Sequence, residues 1–170
     1  LLLDREYFFS LNDNAVLAQK RAPRVMQKVI KAGLMFKTRI VEMDEKENDI
    51  RRVLNLGHTL GHAIEAAGNY EKYLHGEAVF LGTKAVLQIS HKRKLISKNE
   101  FETIINLIDK FFPHKLFESI KTEELLDLIK KDEKVQDGKN VWVLLKEIGQ
   151  PTMVDDVKKK EIQDAIEFLR

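Results

Sequence analysis

Five histidines occur in this chain of 170 residues, and three of them, His58, His62 and His75, fall within eighteen positions. On a helix His58 and His62 lie one turn apart on the same face, with Glu65 a further turn along. The chain has no cysteine, so imidazole nitrogens and carboxylate oxygens are the ligands left to it, and this spacing suits a divalent metal ion. Gly57 and Gly61 flank the first two histidines. Each costs a helix interior about 1 kcal/mol relative to alanine, which is understandable if backbone, ligand or another helix must come close there. A second reading stays open: satisfied core histidines, with the glycines serving only close packing. The metalloprotease pattern H-E-x-x-H is missing, because Thr59 stands where its glutamate would be. Spacing points to a site without naming a reaction.

The elements that must position these residues are mostly helical. Only 3 prolines and 8 glycines punctuate the chain, and apolar residues recur mainly every three to four positions. Asp4 to about Asn12 suits a short helix through Tyr7, Phe8 and Leu11, and the Asn12-Asp13-Asn14 run offers a break and a new N-cap. From Ala22, with Pro23 in the first turn, Val25, Val29, Ala32, Phe36, Ile40 and Met43 predict one long amphipathic helix. Asp44 to Asp49 reads as a loop. A helix should resume near Arg51 and run to about Ala67, apolar around most of its surface and therefore buried. A loop carrying His75 then leads to a second buried helix through Ala78, Leu81, Val86 and Ile89. Two amphipathic helices follow, one through Phe101 to Ile108 closed by Pro113 and one from Thr122 through Ile129. Asn140 to Ile148 is the one convincing strand, with Thr152 to Val154 as its hairpin partner, and Lys158 to Leu169 returns to helix. The expected fold is one mainly α domain over residues 1–170, with a small β-hairpin.

Composition narrows the function classes. There are 29 Lys plus Arg against 27 Asp plus Glu, a net charge of +2, which gives no electrostatic case for nucleic acid or an anionic membrane. The leading Leu1-Leu2-Leu3 is followed at once by charged residues and is too short for a signal peptide or a membrane span. The absence of cysteine suits a reducing compartment, so a cytoplasmic location is expected.

The wording around the histidines is more specific than their spacing. Arg51-x-x-x-Asn55-x-Gly57-His58-Thr59-x-Gly61-His62-Ala63-Ile64-Glu65, followed by Tyr73-Leu74-His75-Gly76-Glu77-Ala78-Val79, closely resembles the signature of the 3-dehydroquinate synthases, members of the sugar phosphate cyclases. The likeness extends upstream through Lys37 and Asp44-Glu45-Lys46-Glu47, and downstream through Asp132 and Lys134 to Val143-Leu144-Leu145-x-x-Ile148-Gly149. It implies an NAD- and metal-dependent lyase of the shikimate pathway, which leads to chorismate and the aromatic amino acids. Such an enzyme converts 3-deoxy-D-arabino-heptulosonate 7-phosphate into 3-dehydroquinate with loss of phosphate.

Carried over by position, the resemblance makes His58 and His75 two ligands of a zinc or cobalt ion and His62 the catalytic histidine. Arg51, Asn55 and Lys37 become substrate-contacting residues, and Glu47 a carboxylate supporting the site. Glu65 and Glu77 are plausible partners for histidine, though they could equally pair with lysine or cap a helix, and both stay outside the ligand set. A homodimer of the full-length protein acting on a phosphorylated sugar acid is implied as well.

Two departures qualify this reading. The family's Asp-Lys-Lys is here Asp132-Glu133-Lys134, so Lys134 or Lys131 must replace a cation toward phosphate. The nucleotide-binding α/β half, with its glycine-rich segment and the glutamate that supplies the third ligand, is not in these residues. No NAD-binding residue is therefore assigned, and the 170 residues alone are expected to be inactive. Other sugar phosphate cyclases, such as 2-deoxy-scyllo-inosose or epi-valiolone synthases, are the nearest alternatives. An iron-dependent or glycerol-type dehydrogenase fits the histidine words less well, and a non-catalytic helical module is the alternative from another class.

Overall fold

Asp4 accepts a hydrogen bond from the Tyr7 backbone N–H and so caps α1, Arg5–Asp13. The Asn14 break opens the short α2, Ala15–Gln19. Pro23 at its start fixes the first turn of α3, Pro23–Met43, the longest helix of the chain. The computed structural model describes residues 2, 4–46, 50–131, 135–136 and 139–170. Beyond α3 come α4, His58–Ala67, α5, His75–Lys92, α6, Lys98–Phe111, α7, Thr122–Lys131, and α8, Lys159–Phe168. The predicted mainly α fold with a β-hairpin is what forms. Strand β3, Trp142–Glu147, pairs antiparallel with β4, Gln150–Val154, across a turn in which Gly149 takes φ +94°. A second antiparallel pair joins β1 (Val135–Gln136) to β2 (Lys139–Asn140), of which only Asn140 lay within the expected strand.

Two boundaries differ from the sequence reading, and both bear on the histidines. The helix expected from Arg51 to Ala67 is broken: Ile50–Asn55 is a 3-10 helix, and α4 starts afresh at His58. The cause is Gly57, whose φ of +78° belongs to the left-handed region that L side chains avoid. His75, expected on a loop, is instead the first residue of α5, where the Glu77 carboxylate accepts from the Leu74 N–H and steadies the helix start.

α5 is the axis of the fold, and every residue from Leu81 to Leu87 is buried. One face joins Leu60 and Ile64 of α4, Leu125 and Ile129 of α7, Ile166 of α8 and Trp142 of β3 in one core. Leu87 belongs to a second core with Phe8 of α1 and Ile104, Leu107 and Ile108 of α6, while Leu56 and Phe80 pack against both. Two polar side chains inside this packing are satisfied. The Ser90 hydroxyl donates to the Val86 carbonyl (2.7 Å) and accepts from the Leu145 N–H (3.0 Å), tying α5 to β3. Lys84 pairs with Asp109 and donates to the Phe112 carbonyl.

The crossing of α4 over α5 is set by backbone. A Cβ at Gly61 would stand 3.2 Å from the Val79 Cα, and one at Gly82 would stand 2.8 Å from the Gly61 nitrogen. The glycines that spacing alone left ambiguous therefore let the two histidine-bearing helices touch main chain to main chain. α3 is the opposite case. Only Ile40 of its 21 residues is buried, and Ile30, Leu34 and Met35 are exposed.

Candidate metal and substrate site

A cleft of about 430 Å³ opens between α1, α3, the 3-10 helix and the start of α4. It brings together four of the residues singled out in the sequence, Lys37 from α3, Arg51 and Asn55 from the 3-10 helix, and His58. Arg51 is held at two points: its backbone N–H donates to Asp44 Oδ2 (3.0 Å) and its guanidinium to the Glu45 carbonyl (2.8 Å). The acidic loop thus sets where this cation sits. Asp4 and Tyr7 also line the cleft, and neither was singled out. They lie about fifty positions before Arg51 and carried only a helical signal. The Tyr7 hydroxyl donates to the Val29 carbonyl (3.2 Å), and burial raises its pKa, keeping it a protonated donor that ties α1 to α3. Glu47 and Lys134 lie outside the described residues.

At the His58 end of the cleft the three histidines converge. Ring centroids are 5.6 Å apart for His58 and His62, 5.5 Å for His58 and His75, and 5.9 Å for His62 and His75. His58 directs Nδ1 at the Leu56 carbonyl (3.2 Å), and His75 directs Nδ1 at Glu65 Oε2 (2.9 Å). A carbonyl can only accept and a carboxylate prefers to, so both Nδ1 atoms are read as protonated donors and Nε2 as the nitrogen left to bind a cation. One donor atom each from His62, Glu65 and His75 also lies within 4.8 Å of the others. Imidazoles and a carboxylate at this separation are a donor set suited to zinc or cobalt, so the residues present fit a metal centre, although this group sets His62 and Glu65 beside His75 and leaves out His58, which the resemblance makes a ligand. The cationic Lys37 and Arg51 with the Asn55 amide suit a ligand rich in carboxylate, phosphate and hydroxyl oxygens. Glu77, the other carboxylate considered beside the histidines, serves as the helix-start acceptor already described.

Comparison with known proteins defines the class. Residues 1–135 match the family of 3-dehydroquinate synthase C-terminal domains, and the chain belongs to that family. Among curated relatives, the 3-dehydroquinate synthase of Dictyoglomus turgidum is 35% identical over 162 residues, covering 95% of this chain and 45% of its own length. That of Oceanobacillus iheyensis is 38% identical over 154 residues, covering 91% and 42%. The chain thus spans less than half the length of these relatives. Among solved structures, a 2-epi-5-epi-valiolone synthase from Streptomyces hygroscopicus with NAD+ and Zn2+ bound superposes with a TM-score of 0.84 at 22% identity, covering 96% of this chain and 46% of its own. A 2-deoxy-scyllo-inosose synthase complexed with carbaglucose-6-phosphate, NAD+ and Co2+ gives 0.70 at 21% identity, covering 87% and 42%. At these identities the two structures speak for the fold alone.

Proposed function

We propose that residues 1–170 form the helical C-terminal domain of a 3-dehydroquinate synthase. The whole enzyme would act in the shikimate pathway, cyclising 3-deoxy-D-arabino-heptulosonate 7-phosphate to 3-dehydroquinate and releasing phosphate. The observation that carries this reading is the convergence of His58, His62 and His75 at the end of a cleft holding Lys37, Arg51 and Asn55. Curated relatives bearing the synthase name are 31–38% identical to this chain, which favours the dehydroquinate substrate over the alternatives.

His58 and His75 would hold the metal ion. When bound, zinc or cobalt supplies Lewis acidity toward substrate hydroxyls, and NAD, held mainly by the other half of the enzyme, supplies reversible hydride acceptance. His62, one turn from His58, hydrogen-bonds a substrate hydroxyl through a ring nitrogen and relays its proton. Arg51 and Lys37 draw the anionic groups of the substrate into the cleft, and the Asn55 amide fixes a hydroxyl beside them. Glu47 supports this set and Lys134 takes the phosphate. The full-length enzyme is proposed to be a cytoplasmic homodimer. Among the described residues, no helix is long and apolar enough to cross a membrane.

The test is phosphate release by the full-length protein with 3-deoxy-D-arabino-heptulosonate 7-phosphate, NAD and zinc, run beside a His58→Ala variant and the isolated 170 residues. Release that needs both cofactors, collapses in the variant and is missing from the isolated chain is the expected result. A folded, metal-loaded full-length protein that releases no phosphate would overturn this function.

A further inference from the structure

The Glu65 carboxylate and the His75 ring sit in opposite surroundings. The Glu65 side chain is 12% exposed, on the third turn of α4, whereas that of His75 is 59% exposed at the first residue of α5. A histidine so placed has little packing to choose its rotamer, and a neutral imidazole in water can carry its proton on either nitrogen. The contact that chooses is Nδ1–H to Glu65 Oε2 at 2.9 Å. Across the site, the Leu56 carbonyl stands in the same relation to His58 Nδ1. Two ligands proposed for one cation therefore each lean on a fixed acceptor through the nitrogen that faces away from the cation's role. Glu65 comes from α4 and His75 from α5, so the contact also locks the ring to the glycine-set crossing of those helices.

We propose that Glu65 is a positioning residue: it holds His75 in the Nδ1–H tautomer and in one ring orientation, presenting Nε2, and is not itself a ligand of the cation. The inference rests on the metal-binding role given to His75 above. Glu65 contributes through its hydrogen bond to His75, not through its charge on the metal, which separates it from a third carboxylate ligand in the same group of donors.

The experiment uses the full-length protein labelled with 15N at histidine, with the His75 signals identified by their loss in His75→Asn. Long-range proton–nitrogen spectra of the metal-free protein report the tautomer, and Co2+ titration followed by visible absorption reports affinity and the ligand set. Wild type is expected to show His75 protonated on Nδ1. Glu65→Gln, whose amide oxygen still accepts, is expected to keep that tautomer and the Co2+ band positions. Glu65→Ala is expected to release the ring to the Nε2–H tautomer and to weaken Co2+ binding about 10–100-fold. Melting temperatures near wild type show that both variants fold.

An unchanged His75 tautomer in Glu65→Ala overturns the proposal whatever the metal does. Equal affinity loss in Gln and Ala variants with shifted Co2+ bands overturns it too, by making Glu65 a ligand. A wild type that shows the expected tautomer, lost in Glu65→Ala, yet binds no Co2+ supports the Glu65 contact while refuting the metal-dependent function.

Discussion

Replacing Gly82 by alanine should injure the site without touching any of its polar residues. The added Cβ would stand 2.8 Å from the Gly61 nitrogen and closer still to the Gly57 carbonyl oxygen, where ordinary contact begins near 3.4 Å. Both obstacles are main chain, so no side-chain rotation relieves them; the Gly61 nitrogen alone requires α4 and α5 to part by about 0.6 Å, and the Gly57 carbonyl oxygen requires more. Overpacking of this kind costs about 1–3 kcal/mol, which in a chain of this size lowers the melting temperature by roughly 2–12 °C. The displacement falls between His58 and His75. Since misplacement by about 1 Å can slow catalysis ~100-fold, phosphate release by the full-length protein should fall at least tenfold. Gly33→Ala on α3 is the matched control for stability alone, because a Cβ there meets nothing within 4 Å but points from a residue that lines the cleft. It should stabilise by about 0.5–1 kcal/mol through helix propensity alone. Calorimetry on both variants, with phosphate release alongside, checks the pair. A Gly82→Ala protein melting within about 1 °C of wild type with full activity would refute the claim that backbone contact sets the spacing.

Ser90→Ala removes the hydroxyl that accepts from the buried Leu145 N–H and should destabilise the protein by about 1–3 kcal/mol, read as an earlier urea midpoint with an unchanged slope. Arg93 grips Glu161 with two guanidinium nitrogens (2.6 and 2.8 Å) and Asp156 with a third, which holds the Glu161 carboxyl below its usual range. A depressed carboxylate contributes stability above its unfolded pKa of about 4.3 and loses it as pH falls through the folded value. Glu161→Gln should therefore melt a few degrees below wild type at pH 7, with the gap closing in acid, and a gap independent of pH would show that the pairing carries no stability.

Legibility in the sequence followed how local the cause was. Helix starts signalled by Asp4, Asn14 and Pro23 formed within a residue or so of where they were expected, and the apolar run Trp142–Leu145 paired as a strand with Pro151–Val154. The break at Gly57 was missed because an isolated glycine in a helical pattern carries no sign of its φ, which here is enforced by the approach of Thr83 and Gly82 from a helix some twenty-five residues later. Alternation over two residues is too short a pattern to reveal β1 and β2. His58, His62 and His75 were legible because two lie on one helix face and the third falls in a recognisable word. Asp4 and Tyr7 were not, since only the tertiary path of α1 beside α3 brings them to the cleft. α3 formed as the long amphipathic helix expected, but periodic apolar residues show only that a helix has a face, not whether this chain covers it.

The contrast between α3 and α5 has a consequence for the order in which the site comes apart. Amides in the middle of α5 sit inside both cores and should exchange with solvent only when the whole domain opens, so the helix that begins at His75 keeps its place up to global unfolding. α3 is held by one buried side chain and a few half-buried ones, so the helix bearing Lys37 opens at a lower free energy and its amides exchange first. On the proposed function, metal ligation and substrate capture would thereby be built on scaffolds of unequal stiffness. Ordering α3 would then be part of the free energy of binding, and a contact that covers the exposed Ile30, Leu34 and Met35 would tune substrate affinity while leaving the metal centre as it was.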